Sequence, residues 1–362
     1  MVVFVGTRQM RQLIQSIGLA DFIEELAQEI ETTYKHWGQF HKSVRHATHS
    51  ALGVIELMPA SDDEQYAFKY VNGHPANTAK KLLTVMAFGM LADVETGYPL
   101  MLSEMTLLTA LRTAATSALA ACLLARPESH SMALIGNGSQ AEFQAIAFYH
   151  AFGLRELRLY DVDKAATEKL QINLERAGLE GLEVIVCNGA YEAAANSDII
   201  TTITADKRNA VILTPEMVSP GTHINAVGGD CPGKTELHPD LLHGENVRVV
   251  VEFEPQSRIE GEIQQMPSDF PVTELAEVLN GRAIRASTND ITIFDSVGFA
   301  LEDFAALRYV YRLQREQREK RIYLDLIPEL KDPKNLYSLV SANHKAGSRR
   351  RYLGRKTIRQ SR

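Results

Sequence analysis

The sequence has little that would staple it covalently or carry it out of a reducing compartment. Its 362 residues include three cysteines, Cys122, Cys187 and Cys231, an odd number spread widely. That argues against a disulfide framework and for a cytoplasmic protein. No uninterrupted apolar run approaches the ~18 residues a membrane helix needs; the longest lies near Ala118–Ala125. The opening MVVFVGTRQMRQ lacks a basic region before its short apolar stretch, so it does not read as a signal peptide. Repeats are absent, and so are low-complexity tracts before the last segment. Secreted, membrane-spanning, fibrous and disordered classes are thereby set aside.

Acid is missing altogether from residues 341–362, which hold eight basic residues. The net charge is −7, so the other 340 residues carry −15. A body of that sign does not suit nucleic acid as a main partner, because duplex affinity rests on neutralising phosphates. The basic segment reads as a solvated, disordered tail, with contact to an anionic surface as its other reading. What is present is ordinary for a globular enzyme: 45% hydrophobic and 23% charged residues, over a length that suggests two domains.

Residues Met10–Trp37 alternate charged and apolar positions with helical spacing. From about His46 to Ser103 the pattern changes to short runs, and Ala51–Met58, Tyr66–Val71, Leu83–Ala92 and Tyr98–Glu104 read as strands. The Asp93–Gly97 turn makes a hairpin of the last two. Thr106–Arg126 has no glycine or proline and is rich in alanine and leucine, a long helix that Pro127 ends. Strand-like runs then alternate with helices. Met132–Ile135, Glu156–Asp161, Leu182–Val186, Ile199–Thr204, Thr222–Val227, Val247–Glu252 and Ile291–Phe294 are the strands. Glu142–Phe152, Ala165–Ala177 and a segment from Gly298 to about Lys320 are helices. The expected fold class is α/β: a Rossmann-type, doubly wound parallel sheet beside an α+β substrate-binding and dimerisation domain.

Gly136-Asn137-Gly138-Ser139-Gln140-Ala141 follows an apolar strand and opens a helix. Gly136 allows the tight turn, Gly138 lets backbone approach a pyrophosphate, and Ala141 packs helix on sheet. The next strand ends in Asp161, placed to bond ribose hydroxyls and repel a 2′-phosphate, which favours NAD over NADP. Arg45, Lys69 and Arg112 are cations beside segments that should be buried, but spacing alone does not bring them together. The strand ending at Gly228-Gly229 is followed by Asp230-Cys231-Pro232-Gly233-Lys234-Thr235-Glu236-Leu237. At that edge Asp230 is a candidate proton acceptor and donor beside a nicotinamide. A nucleophilic Cys231 is the competing reading, without a histidine within five residues. His41, His46 and His49 form no ligand pattern, so no metal is expected.

At these residues the sequence resembles the ornithine cyclodeaminase and mu-crystallin family, over most of its length. The resemblance includes Asp93–Pro99, Leu108–Ala115, Gly136–Ala141 and Asn225-Ala226-Val227-Gly228-Gly229-Asp230. The run Gly229–Leu237 is similar to the cyclodeaminase branch, since reductases and alanine dehydrogenases of the family generally lack this acid. The resemblance implies that Arg45, Lys69 and Arg112 hold a substrate carboxylate, that Asp230 is catalytic, that Glu56 meets a distal amine and that Val297 lies near the substrate. It implies cofactor contacts at Thr84, Arg112, Gly136, Gly138, Ser139, Gln140, Asp161, Thr202, Asn225, Ala226, Val227, Lys234 and Ser296. It further implies a homodimer formed through the first sheet.

The implied reaction is an ammonia-lyase step of ornithine catabolism and proline formation: L-ornithine gives L-proline and ammonia, with NAD⁺ borrowing and returning one hydride. A lysine cyclodeaminase, a ketimine reductase or amino-acid dehydrogenase, and a non-catalytic crystallin-like binding protein are the alternatives. The expected division is 1–117 for the substrate and dimerisation domain, completed by about 313–340, then 118–312 for the NAD domain and 341–362 for the tail. The expected partners are an amino-acid substrate and a second copy, with neither nucleic acid nor membrane.

Overall fold

A computed structural model describes residues 1–205, 210–316 and 321–341. The tail expected from 341 onwards therefore lies almost wholly outside the described residues. The chain opens with a strand, β1 (Val2–Val5), where the sequence offered only a short apolar stretch. Two amphipathic helices follow, α1 (Thr7–Ile17) and α2 (Leu19–Lys35), separated at Gly18. Then come β2 (His41–Lys42), β3 (His46–Ser50), β4 (Gly53–Ser61), β5 (Gln65–Gly73), β6 (Val85–Asp93) and β7 (Pro99–Glu104). β3 had no strand signal, since its five residues are exposed and four of them polar; pairing with β4 across a tight turn makes it a strand. The 19-residue α3 (Thr106–Leu124) ends two residues before Pro127.

The second sheet is built from β8 (Ser131–Ile135), α4 (Ala141–Phe152), β9 (Glu156–Tyr160), α5 (Lys164–Ala177), β10 (Glu183–Val186), α6 (Ala190–Ala194), β11 (Ile199–Thr202) and β12 (His223–Ala226). It continues through α7 (Pro239–Leu242), β13 (Val247–Val251), α8 (Glu254–Glu260), β14 (Thr273–Glu274), α9 (Leu275–Leu279) and β15 (Ile291–Asp295). Its order is β10-β9-β8-β11-β12-β15-β13-β14, and the described pairs are parallel. The direction of winding reverses between β8 and β11, and ligands of such sheets lie outside the carboxyl ends at that point.

Finally α10 (Ala300–Glu316) and β16 (Ile322–Leu324) return to the first sheet, whose order is β16-β1-β7-β6-β5-β4-β2 with β3 beside β4. α10 packs on α2, α3 and β5, although the expected boundary at 312 puts most of it with the second sheet. One continuous core joins α2, α3 and α10 to the inner faces of both sheets. α3 also corrects an expectation. Counting uninterrupted apolar runs missed a helix that is long and apolar enough to cross a membrane, because Arg112 and its threonines break the run. The helix is mostly buried inside the protein, as the core helix of a two-layer fold is.

Candidate active site

The dinucleotide edge is built at the carboxyl ends of β8, β9 and β11. Gly136 has φ +101°, and a Cβ there would stand 2.6 Å from the Ile203 carbonyl oxygen, so only glycine makes this turn. A Cβ on Gly138 would meet nothing within 4 Å, which leaves its backbone open to a ligand. Ser139 and Gln140 follow, with Gln140 capping α4. Asp161 is fastened against this loop: one carboxylate oxygen accepts from the Asn137 N–H at 2.6 Å, the other from the Asp163 N–H at 2.8 Å. Buried side-chain oxygens of Asn137 and Gln140 have no hydrogen-bond partner, so the loop presents polar atoms that a ligand can satisfy.

Across the switch point, Thr202 ends β11 and Asn225–Ala226 end β12, all fully buried. The Asn225 amide donates to Thr201 Oγ1, its oxygen faces the His223 ring, the Val227 N–H donates to the Thr202 carbonyl, and the Ala226 carbonyl accepts from Ser296. Asn225 and the strand-end backbone are thereby committed, whereas the buried Thr202 hydroxyl has no hydrogen-bond partner among the described residues. Thr84 stands apart at the opening of β6, where its carbonyl accepts from His74 and Asn72. No described hydrogen bond links it to the second sheet.

On the first sheet, strand alternation turns Glu56 and Lys69 inward, and α3 presents Arg112 to the same layer. Each cation is buried against acids. Lys69 Nζ lies 2.7 Å from Asp303, whose other oxygen takes the Arg112 Nε–H at 3.1 Å. Arg112 Nη1 meets Glu302 at 2.5 Å. Arg45, from the β2–β3 connection, meets Glu56 at 3.2 Å and Glu260 at 3.0 Å, and donates to the carbonyls of Val297 and Gly298. Arg112 reaches the same turn, 2.8 Å from where a Cβ on Gly298 would sit. So the fold brings together three cations that the sequence left scattered: Arg45 and Arg112 at Val297–Gly298, and Lys69 joined to Arg112 through Asp303.

That turn is itself held by a buried acid. Glu252, at the end of β13, accepts from Ser296 Oγ (2.6 Å), Val297 N–H (2.9 Å) and Gly298 N–H (3.1 Å). Burial pushes the Glu302 carboxyl up to about 8, against the pull of Arg112. Burial and the neighbouring Arg112 bring Lys69 down to about 8. Two cations, Lys69 and Arg112, thus share the carboxylates of Glu302 and Asp303, with Glu252 close enough to act on Arg112 as well.

Asp230 stands on the loop after β12 with its side chain 58% exposed. The buried Lys234 ties that loop down, reaching the Thr204 carbonyl at 2.8 Å and Asp230 at 3.3 Å. Asp230 also lies close enough to Arg45 and Glu260 to act on their charge. Cys231 is buried, and its carbonyl accepts from the Gln264 amide at 3.4 Å. The sequence reading missed Glu252, Glu260, Glu302 and Asp303. A signal existed for two of them: Glu302-Asp303 is an acidic pair inside the apolar start of α10, and such a pair needs a partner when buried.

These features define a two-layer α/β enzyme with a dinucleotide edge on one sheet and a buried charged cluster against the other. Residues 7–318 match the family model described as the ornithine cyclodeaminase/mu-crystallin family, and the chain belongs to that family. An ornithine cyclodeaminase of Brucella suis biovar 1 (strain 1330) is 53% identical over 347 residues, 95% of each chain. Among solved structures, a lysine cyclodeaminase described for its recognition of L-lysine, L-ornithine and L-2,4-diaminobutyric acid superposes with TM-score 0.86. It is 31% identical and covers 93% of this chain and 99% of its own. An archaeal alanine dehydrogenase dimer with bound NAD gives TM-score 0.80 at 31% identity, over 89% and 99%.

Proposed function

We propose that this enzyme converts L-ornithine to L-proline and ammonia with NAD as a catalytic hydride carrier. The observation that carries the reading is the position of Asp230, on a loop tied to the dinucleotide edge by Lys234 and within charge range of the Arg45 cluster. When bound, NAD would supply the acceptor for the Cα hydride and the donor that gives it back to the cyclic imine.

The chain's own residues do the rest. Lys69 and Arg112 take the substrate carboxylate, with Arg45 beside them, and fix Cα. Val297 borders that position, and Glu56 meets the distal amine. Asp230 accepts the proton that the α-ammonium must lose, since only a neutral amine has the lone pair an imine requires. It then moves protons during ring closure and loss of ammonia. Gly136, Gly138, Ser139 and Gln140 hold the pyrophosphate, and Asp161 the ribose. Thr202, Asn225–Val227, Lys234 and Ser296 line the nicotinamide side, with Arg112 bordering both ligands. Thr84 remains an assignment by resemblance.

A second copy covers the outer face of the first sheet, where Ile55, Leu57, Met86 and Phe88 are exposed and Tyr70 stacks on Phe88. The division at about 117 and the cytoplasmic setting belong to the same proposal. Lysine is the second substrate reading, favoured by the likeness to the lysine cyclodeaminase. One methylene is worth only about 1–3 kcal/mol.

The test is incubation with L-ornithine or L-lysine and catalytic NAD⁺, followed by assay of ammonia and cyclic product. Deuterium at Cα of ornithine is expected in the proline. Its accumulation in free NADH instead would make the enzyme a dehydrogenase.

A further inference from the structure

Three carboxylates crowd one guanidinium at the end of the cluster away from Lys69. They come from three elements: Glu56 from β4, Glu260 from the end of α8, and Asp230 from the loop after β12. Glu260 is the most deeply buried of them, at 2% exposure. Its carboxylate meets Arg45 Nε at 3.0 Å and accepts from the Gln256 amide. Gln256 in turn takes the Arg45 backbone N–H at 2.7 Å, so α8 and the Arg45 segment are locked to each other. The opposing cations here are Arg45 and Lys234, the latter on Asp230. Three acids against two cations leave this end one positive charge short, and a buried carboxylate without a counter-charge is strongly disfavoured.

We propose that Glu260 is a specificity-determining residue: with Glu56 and Asp230 it forms a cage that is completed by the distal ammonium of a diamino acid. This deepens the cyclodeaminase reading and rests on it. The cluster is then bipolar. Lys69 and Arg112 offer their cations to a carboxylate at one end, and the Glu260 end carries the shortage of positive charge. A substrate with a carboxylate at one end and an ammonium at the other closes both, whereas a monoamino acid closes only the first. Burial, reinforced by Glu56 and Asp230 and opposed by Arg45 and the Gln256 amide, raises the Glu260 carboxyl to about 7. Without a second cation Glu260 can hold a proton instead, and the distal ammonium displaces that proton on binding.

The experiment measures binding to the NADH-loaded protein by titration calorimetry, with L-ornithine and with L-norvaline, which lacks the distal amine. Glu260→Gln should weaken ornithine at least ~30-fold, as loss of one partner in a buried charge pair does, and move norvaline less than about threefold. In the unaltered protein near pH 7, ornithine binding should release a proton, seen as a heat that changes with the buffer. Norvaline binding should release none, and the Gln variant should lose the release. Equal weakening of both ligands, or unaltered ornithine affinity, overturns the proposal. If the Gln variant no longer binds NADH, Glu260→Asp carries the test: it should weaken ornithine more than norvaline, and equal effects again overturn the claim. An unaltered protein that binds ornithine no better than norvaline overturns both the proposal and the cyclodeaminase reading. Discrimination that survives Glu260→Gln overturns the proposal alone.

Discussion

The two sheets handle charge in opposite ways. At the edge of the second sheet, Asp161 and Asp230 stand at least partly in water, and Asp161 is held by backbone N–H groups within a few residues of a glycine loop. Against the first sheet, Arg45, Lys69, Arg112, Glu56, Glu260, Glu302 and Asp303 are buried and satisfied almost wholly by one another. Local backbone geometry suffices for the first arrangement. The second exists only because six separate segments converge. One consequence is mechanical: a change at the open edge should alter chemistry and leave the fold intact, whereas a change in the buried cluster should alter both.

The sharpest way to break that contrast is Arg112→Ala. It leaves Glu302 without its cation and Asp303 with Lys69 alone, and breaking a buried pair this way costs about 3–5 kcal/mol of stability. Loss of a charge-assisted partner for the carboxylate should also cost at least ~2 kcal/mol in kcat/KM. Denaturant melts and steady-state kinetics on the same preparation measure the two effects. If only kinetics suffers, the buried cluster is not structural.

At the open edge the expected loss falls on the chemistry. Asp230→Asn keeps the shape and removes the base, so ammonia release should fall at least ~100-fold. NAD affinity and melting temperature should stay as they were, because the side chain is largely in water. A drop in melting temperature comparable to that of Arg112→Ala would erase the distinction between the two regions.

That contrast also explains what the sequence disclosed. The Gly136–Ala141 loop, the acid ending β9 and the alternation of strands with helices are local patterns with fixed spacing, and they were legible. Arg45, Lys69 and Arg112 were visible as odd cations in apolar surroundings, but only resemblance joined them, since 67 residues of sequence separate the first from the last. Their partners were harder still. Glu252 and Glu260 look like solvated acids on a short strand and helix, and only long-range packing buries them. β3 was invisible for a related reason: its strand geometry comes from its neighbour, not from its own polar residues.

A third, smaller effect lies in the body of the second sheet, away from either charged region. His223 is fully buried, its ring nitrogens 2.9 Å from Thr292 Oγ1 and 3.2 Å from Asn225 Oδ1. Burial, with help from the Arg285 charge, brings its pKa down to about 3. Above pH ~6.5 the residue is neutral in both folded and unfolded chains, and its contribution is fully present. As pH falls from there towards 3, the unfolded chain takes up a proton that the folded one refuses, so stability drops by up to ~1.4 kcal/mol per pH unit. His223→Gln should flatten that part of the stability–pH curve. An unchanged slope would assign the acid sensitivity to the buried carboxylates instead.

The mildest change should be Asp161→Ser. The carboxylate is already committed to the Asn137 and Asp163 N–H groups, beside the Gly136–Gly138 loop, where the proposed function puts the ribose. Its negative charge there repels a 2′-phosphate and costs a 2′-hydroxyl nothing, so the unaltered enzyme should bind NAD well ahead of NADP. Because Asp161 is partly in water, the repulsion is screened, and its removal should shift the ratio of the two affinities by about 1 kcal/mol. Serine keeps a hydroxyl that can accept from the same loop, so the turn at Gly136 should survive and the melting temperature should barely move. Competition between the two cofactors, followed by fluorescence of the reduced forms, reads the ratio directly. Equal affinity for both in the unaltered enzyme would mean that the acid merely braces the loop, and the open edge would then resemble the buried cluster after all: a charge kept for structure rather than for recognition.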